Sequence, residues 1–113
     1  MNRATSQTAQ PASAADVLDA LQPIVDPDIG ISIVDLGLIR DVRFRDDPLH
    51  VDIDMTLTSP GCPIAPQLMA AVQGAAERLP TVEAATVRLV WSPPWDPRTD
   101  PNEEARWDLG FYD

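Results

Sequence analysis

The sequence lacks lysine altogether and contains very little cysteine, histidine or aromatic residue. Its 113 residues include one Cys and one His, and its eight basic residues are all Arg, against 18 Asp and Glu, which gives a formal net charge of −10. One cysteine excludes an intramolecular disulfide and a zinc or iron–sulfur site with four cysteine ligands from this chain. The excess of acid argues against partners bound through phosphates, such as nucleic acids and anionic membranes.

Long hydrophobic runs are also missing. The longest unbroken apolar run covers residues 68–72, and residues 1–15 lack the apolar stretch of a signal peptide. We therefore expect a cytoplasmic protein with a reduced thiol and no membrane association. The length fits one small domain, and a hydrophobic content of 44% allows a core. We assign residues 1–12 to a disordered tail and residues 13–113 to a single domain.

The spacing of apolar residues predicts six elements. Helices are predicted at 14–22, 63–79 and 102–109, and strands at 40–45, 49–58 and 85–91. The first two strands form a hairpin and pair antiparallel, whereas the helical crossover to the third strand favours parallel pairing. We expect an α+β fold, namely a two-layer α-β-β-α-β sandwich. Its three-stranded mixed sheet carries both main helices on one face, and a short C-terminal helix follows.

The strongest candidate for chemistry is Cys62, which lies between the clearest strand and the clearest helix. A helix N-terminus presents unpaired N–H groups and the positive end of the helix dipole, and both favour thiolate over thiol. Thr58, four residues earlier, ends the strand, where its hydroxyl could hydrogen-bond the sulfur or the loop. The alternative is a buried cysteine that packs as a small hydrophobe, and the flanking residues leave both open.

A cysteine hydrolase would need a base, and the sole histidine is His50. Eight residues of strand, at about 3.3 Å each, separate His50 from Thr58 by roughly 26 Å. We therefore expect His50 to be a solvent-facing strand residue and no Cys–His dyad within one chain.

Carboxylates form two further candidate sites, because clustered carboxylates can hold hard cations. Asp26 and Asp28 flank a proline in a turn, where functional residues concentrate. Asp52 and Asp54 share one strand face, and there we expect a solvated surface instead.

Two tryptophans flank the Pro93-Pro94 pair. Trp91 and Trp95 either form a partner-binding surface or cover a small core with large aromatic side chains.

Several segments together resemble the SufT/PaaD-like metal–sulfur cluster assembly family, over about residues 16–111. These are Asp26-Pro27-Asp28, Ile33 to Ile39, Met55 to Pro63, Trp95, Ala105-Arg106 and Leu109-Gly110. The resemblance implies the α-β-β-α-β fold and a role in the maturation of iron–sulfur or other iron proteins. It implies no turnover reaction, so we expect a protein that is not an enzyme.

The family pattern of Asp-Pro-Glu, a later Thr and then a Cys maps onto Asp26, Asp28, Thr58 and Cys62, with Asp28 in place of Glu. The resemblance implies that Cys62 contacts metal and that the other three position the loop or share in that contact. The PaaD-like branch accompanies a multicomponent oxygenase and carries extra cysteines in a C-terminal extension. This chain has no Cys after Cys62, so it resembles the short SufT-like form.

A single thiolate cannot hold a cluster alone. We therefore expect a transient iron–sulfur cluster or iron atom, with further ligands from a second Cys62 in a homodimer, a client or a small thiol. The expected partners are the iron–sulfur assembly machinery and client apoproteins. The alternative is a metal-free adaptor in which the Cys62 loop and residues 91–97 dock to an oxygenase or an assembly scaffold.

Overall fold

The computed structural model describes residues 12–45, 49–58 and 64–110. Residues 1–11 of the expected tail lie outside this range, and so does Cys62. Ala12, the first described residue, is half-buried, and its amide donates a hydrogen bond to Thr81 Oγ1 at 2.9 Å.

Six elements follow in the predicted order. They are α1 (Ala14–Leu21), β1 (Ile39–Phe44), β2 (His50–Met55), α2 (Ala65–Glu77), β3 (Ala84–Leu89) and α3 (Glu103–Leu109). Local capping sets several of the helix ends. Ser13 and Asp16 form a reciprocal capping box at the start of α1, Asn102 accepts from the Ala105 amide at the start of α3, and Gly110 ends α3 with φ +96°.

The sheet has the order β1-β2-β3 and is mixed, as predicted. β1 runs antiparallel to β2, and Phe44 lies opposite Val51. β3 runs parallel to β2 after the crossover through α2, and Leu89 lies opposite Met55. An irregularity between Ile39 and Asp41 marks a β-bulge in β1.

The core lies between the sheet and the two longer helices. Its buried side chains from β2 are Val51, Ile53 and Met55. Four helical side chains join the same cluster: Val17 and Leu21 from α1, and Leu68 and Val72 from α2. Burial of each such side chain stabilises the fold by about 1.5–3 kcal/mol. The helices therefore cover one face of the sheet, and alternation along β2 directs Asp52 and Asp54 to the other.

Two side chains of α2 bond the outer edge of β3. Gln73 Nε2 donates to the Ala85 carbonyl at 3.1 Å, and Glu77 Oε2 accepts from the Ala85 amide at 3.0 Å. These bonds fix the crossover helix against the strand that follows it.

The segment after β3 returns to the loop that precedes β1. Trp95 Nε1 donates to the Leu36 carbonyl at 2.7 Å, and the Asn102 amide donates to the Asp35 carbonyl at 2.8 Å. Gly37, with φ +77°, lies so close to Asp100 that a Cβ would collide with the Asp100 carbonyl. Trp95 packs against the core, which confirms for this residue the interpretation as a core-covering aromatic side chain. Trp91, by contrast, is 43% exposed.

No helix in the described ranges combines the length and the apolar character needed to cross a membrane.

Candidate functional site

The Asp26 carboxylate organises the turn in which it lies. Asp26 is only 2% exposed, and its Oδ1 accepts hydrogen bonds from the amides of Asp28 at 2.9 Å and Ile29 at 3.3 Å. Its carbonyl accepts from the Gly30 amide at 2.7 Å. Asp28 is exposed. The two carboxylates of the turn therefore differ, because one is bonded inside the turn and the other faces solvent.

The base of this turn is closed by backbone bonds. Val25 and Ser32 form an antiparallel bridge, and the Ile33 amide donates to the Ile24 carbonyl at 2.9 Å. These bonds pair the two ends of the turn that contains Asp28, as the strands of a hairpin do.

The other candidate segment begins where β2 ends. Thr58 is half-buried and lies three residues after Met55, the last residue of β2. Cys62 lies outside the described residues, so its position and its thiolate character stay predictions. Ile64, the N-cap of α2, makes no side-chain hydrogen bond to the first turn of that helix. The N-terminus of a helix carries a partial positive charge, which favours a nearby anion.

A backbone bond connects the loop of the Asp26 turn to the segment of Thr58. The Thr56 amide donates to the Leu38 carbonyl at 2.8 Å, at the end of the loop that begins with the Asp26 turn. The structure therefore joins the 24–38 loop to the 56–58 segment. It brings Asp26 and Asp28 together, but the described contacts of the Asp26 carboxylate go to its own turn and not to Thr58.

Thr56 itself is a residue that sequence reasoning missed. Its side chain is fully buried, and its hydroxyl has no hydrogen-bond partner in the part of the chain that the structure describes. Alternation along the predicted strand 49–58 puts Thr56 on the same face as Asp52 and Asp54, so the pattern gives no signal of its burial.

The expectation of a solvated face at Asp52 and Asp54 is wrong for Asp54, which is 7% exposed. Arg43 bonds its carboxylate at 2.8 and 3.2 Å, and Arg88 bonds it at 3.2 and 3.1 Å. The physical reason is that both neighbouring strands direct an arginine towards this carboxylate. Asp52 pairs with Arg45 at 2.9 to 3.2 Å.

These arginines lower the pKa values of the two carboxylates on this face of the sheet. Hydrogen bonds from Arg43, and then from Arg88, lower the pKa of Asp54 to about 2, although partial burial acts in the opposite direction. Arg45 lowers the pKa of Asp52 in the same way. Both carboxylates are thus ionised and paired with guanidinium groups, so they do not form an open cation site.

Metal ligands do not cluster elsewhere in the described ranges either. Among residues 12–45, 49–58 and 64–110, no three His, Cys, Asp or Glu side chains group closely enough to hold a metal ion. His50 is the first residue of β2, so the length of the strand separates it from Thr58.

Comparison with known proteins adds a family match. Residues 14–88 match the family described as iron–sulfur cluster assembly protein. The chain is 46% identical over 80 residues to the Fe-S protein maturation auxiliary factor YitW of Bacillus subtilis, which covers 71% of this chain and 78% of that protein. It is 43% identical over 72 residues to the Fe-S protein maturation auxiliary factor SufT of Staphylococcus aureus, with 64% and 81% covered.

The fold has solved counterparts. A domain of unknown function (DUF59) from Bacillus anthracis superposes with a TM-score of 0.78 at 34% identity, over 85% of this chain and 90% of that one. Rv1466 of Mycobacterium tuberculosis, described as associated with Fe-S complex assembly and repair, gives a TM-score of 0.51 at 35% identity, with 87% and 83% covered. The matched range 14–88 contains all four candidate residues, Asp26, Asp28, Thr58 and Cys62.

Proposed function

Because the chain belongs to the iron–sulfur cluster assembly protein family, we propose that it is an auxiliary factor in the maturation of iron–sulfur or iron-dependent proteins. We further propose that Cys62 is its thiolate contact to iron. The observation that carries the proposal is the family match over residues 14–88, which spans the whole candidate site.

The chemistry of the site supports a role in transfer. A thiolate binds iron strongly, and the N-terminus of α2, which starts three residues after Cys62, favours the ionised sulfur. One thiolate leaves most of the iron coordination open, so a cluster held here is cargo that needs ligands from a second molecule. A client apoprotein can supply those ligands and then keep the cluster, without a turnover reaction on this chain.

The two carboxylates of the turn suit different parts in this proposal. Oδ1 of Asp26 accepts two amide hydrogen bonds inside the turn, so Asp26 acts by positioning. Asp28 is exposed on the same turn, and its carboxylate is the one available to approach the metal. Thr58 lies two residues after the Thr56 amide that bonds Leu38, so it occupies the junction between the two segments.

The test is anaerobic loading with ferrous iron, ferric iron and sulfide, followed by transfer to apo-aconitase as a test client. We expect the wild type to retain iron and sulfide and to restore aconitase activity. Cys62→Ser should reduce both readouts to the level obtained without the protein. Thr86→Ser, an equally small change at an exposed position of β3, serves as the matched control and should behave as the wild type. Equal iron content and equal aconitase activity in wild type and Cys62→Ser would refute the role of Cys62.

A metal-free adaptor is the second candidate function. It is favoured by the concave surface that residues 93–97, 99 and 100 form. Trp91, two residues before this surface in the sequence, is 43% exposed. In that case, metal content stays at background in the wild type, and binding to a client or scaffold protein is unchanged by Cys62→Ser.

A further inference from the structure

A groove of about 480 Å³ lies in the segment that follows β3. All of its lining side chains come from residues 93–100 and include three prolines, Trp95, Asp96 and Asp100. The groove lies outside residues 14–88, the range that matches the family.

The groove is held in shape by hydrogen bonds across its own segment. The Asp96 amide donates to Asp100 Oδ2 at 2.9 Å, and the Asp100 amide donates to the Asp96 carbonyl at 2.9 Å. Trp95 is fixed to the Leu36 carbonyl through Nε1 at 2.7 Å, so its indole ring has a set orientation. A ligand would meet a surface that is already organised, which reduces the entropy lost on binding.

The carboxylates of the groove retain capacity for a cation. Asp96 Oδ1 accepts from the Arg98 amide at 2.9 Å, and Asp100 Oδ2 also pairs with Arg40 at a long 3.4 Å. The contacts described for these two side chains thus engage one oxygen of each. An ionised carboxyl group has about four acceptor sites, so both can accept further donors.

We propose that this groove binds an arginine side chain presented by a partner protein. A guanidinium group is flat, stacks on an indole ring and donates to carboxylates, and both Trp95 and Asp96 line the groove. The prolines provide apolar surface for the methylene groups of the arginine. The net charge of −10 attracts a basic segment over longer distance. The groove therefore gives the chain a means of selecting partners that does not depend on cluster binding.

The test is an NMR titration of the full-length, ¹⁵N-labelled chain with end-capped tetra-arginine. The indole N–H signal of Trp95 is identified by its loss in Trp95→Phe, which keeps an aromatic ring at this position. We expect saturable shifts of this signal and of the Asp96 and Thr99 amides. Tetra-lysine carries the same charge but has no flat guanidinium groups. Its affinity should be lower by a factor of about three or more.

Charge-matched variants separate a specific site from diffuse attraction. Asp96→Asn keeps the Oδ1 acceptor for the Arg98 amide but removes the charge, and it should weaken tetra-arginine binding by about three-fold or more. Asp19→Asn removes the same charge from the exposed side of α1 and should leave the affinity unchanged. Equal weakening in both variants, or shifts spread over other acidic segments, would overturn the proposal. Cys62→Ser should bind tetra-arginine as the wild type does, so this outcome is independent of the test of Cys62.

Discussion

Asp54 illustrates how the neighbours of one residue determine its contribution. Its carboxylate receives hydrogen bonds from Arg43 on β1 and Arg88 on β3. The two arginines remain 42% and 65% exposed, so solvent screens part of each interaction. The carboxylate therefore ties the outer strands to the central strand on the face that the helices leave open.

Asp54→Asn should lower the free energy of unfolding by about 1–2 kcal/mol at neutral pH, because it removes the charge that both arginines bond. The pKa of Asp54 is lowered from 3.8 to about 2 in the folded state. The stabilisation by the Asp54 carboxylate is therefore complete at a pH above 3.8, the pKa of the unfolded state. The difference in unfolding free energy between Asp54→Asn and the wild type should disappear as the pH falls through about 2. Urea unfolding across this pH range measures both effects.

Asp41→Asn is the matched control, because Asp41 bonds the same Arg43 at 2.6 Å but is 53% exposed. It should cost less than about 1 kcal/mol. An equal loss for Asp41→Asn and Asp54→Asn would contradict the special position of Asp54.

Asp26 is the second residue whose role the structure makes specific. Asp26→Asn keeps an oxygen acceptor for the Asp28 and Ile29 amides, whereas Asp26→Ala leaves both amides without it. We expect Asp26→Ala to lower the free energy of unfolding by about 1–3 kcal/mol and Asp26→Asn to cost less than half as much. Thermal and urea unfolding of the pair provide the measurement. If Asp26→Asn is as destabilising as Asp26→Ala, the charge and not the acceptor holds the turn.

At the scale of elements, the attachment of residues 95–109 depends on Gly37. Gly37→Ala introduces a Cβ against the Asp100 carbonyl at a residue with φ +77°. Gly30→Ala has a similar φ of +82° but meets no atom within 4 Å. The backbone cost of a positive φ, about 1–2 kcal/mol, is common to both variants. The difference between their unfolding free energies therefore reports the collision of the new Cβ with Asp100.

We expect Gly37→Ala to be the more destabilising variant by about 1–3 kcal/mol, since packed atoms must move to admit the methyl group. It should also release Trp95 from Leu36, which a shift in tryptophan fluorescence and faster proteolysis after β3 would report. Equal stability of Gly30→Ala and Gly37→Ala would show that the segment is not held against Gly37.

The elements themselves were predictable because their signals are local. Asn102 and Gly110 mark the ends of α3, and alternation over β2 identifies its buried face, although β2 stops at Met55 and not at Thr58. The burial of Asp54 was not predictable, since its partners lie 11 and 34 residues away in sequence. The bond between Trp95 and Leu36 was not predictable either, because these residues lie 59 positions apart in the sequence.

At the scale of the whole molecule, the candidate site was identified through the family resemblance more than through physical pattern. Sequence position left Cys62 open between a reactive thiolate and a buried hydrophobe, and the family match over residues 14–88 includes Cys62 without assigning it a role. Asp26 is buried and Asp28 is exposed because of the conformation of the turn. No short sequence pattern distinguishes these two carboxylates. The prediction for Cys62 itself stays a prediction.

The bonds of Gln73 and Glu77 to Ala85 have a further consequence for how copies of the chain meet. An outer strand with unpaired amides and carbonyls invites strands of other molecules, which is a common start of fibril growth. Here the crossover helix occupies both backbone groups of Ala85 with its own side chains. A foreign strand would have to displace these side chains before it could pair with Ala85, so the helix hinders extension of the sheet at the start of this strand.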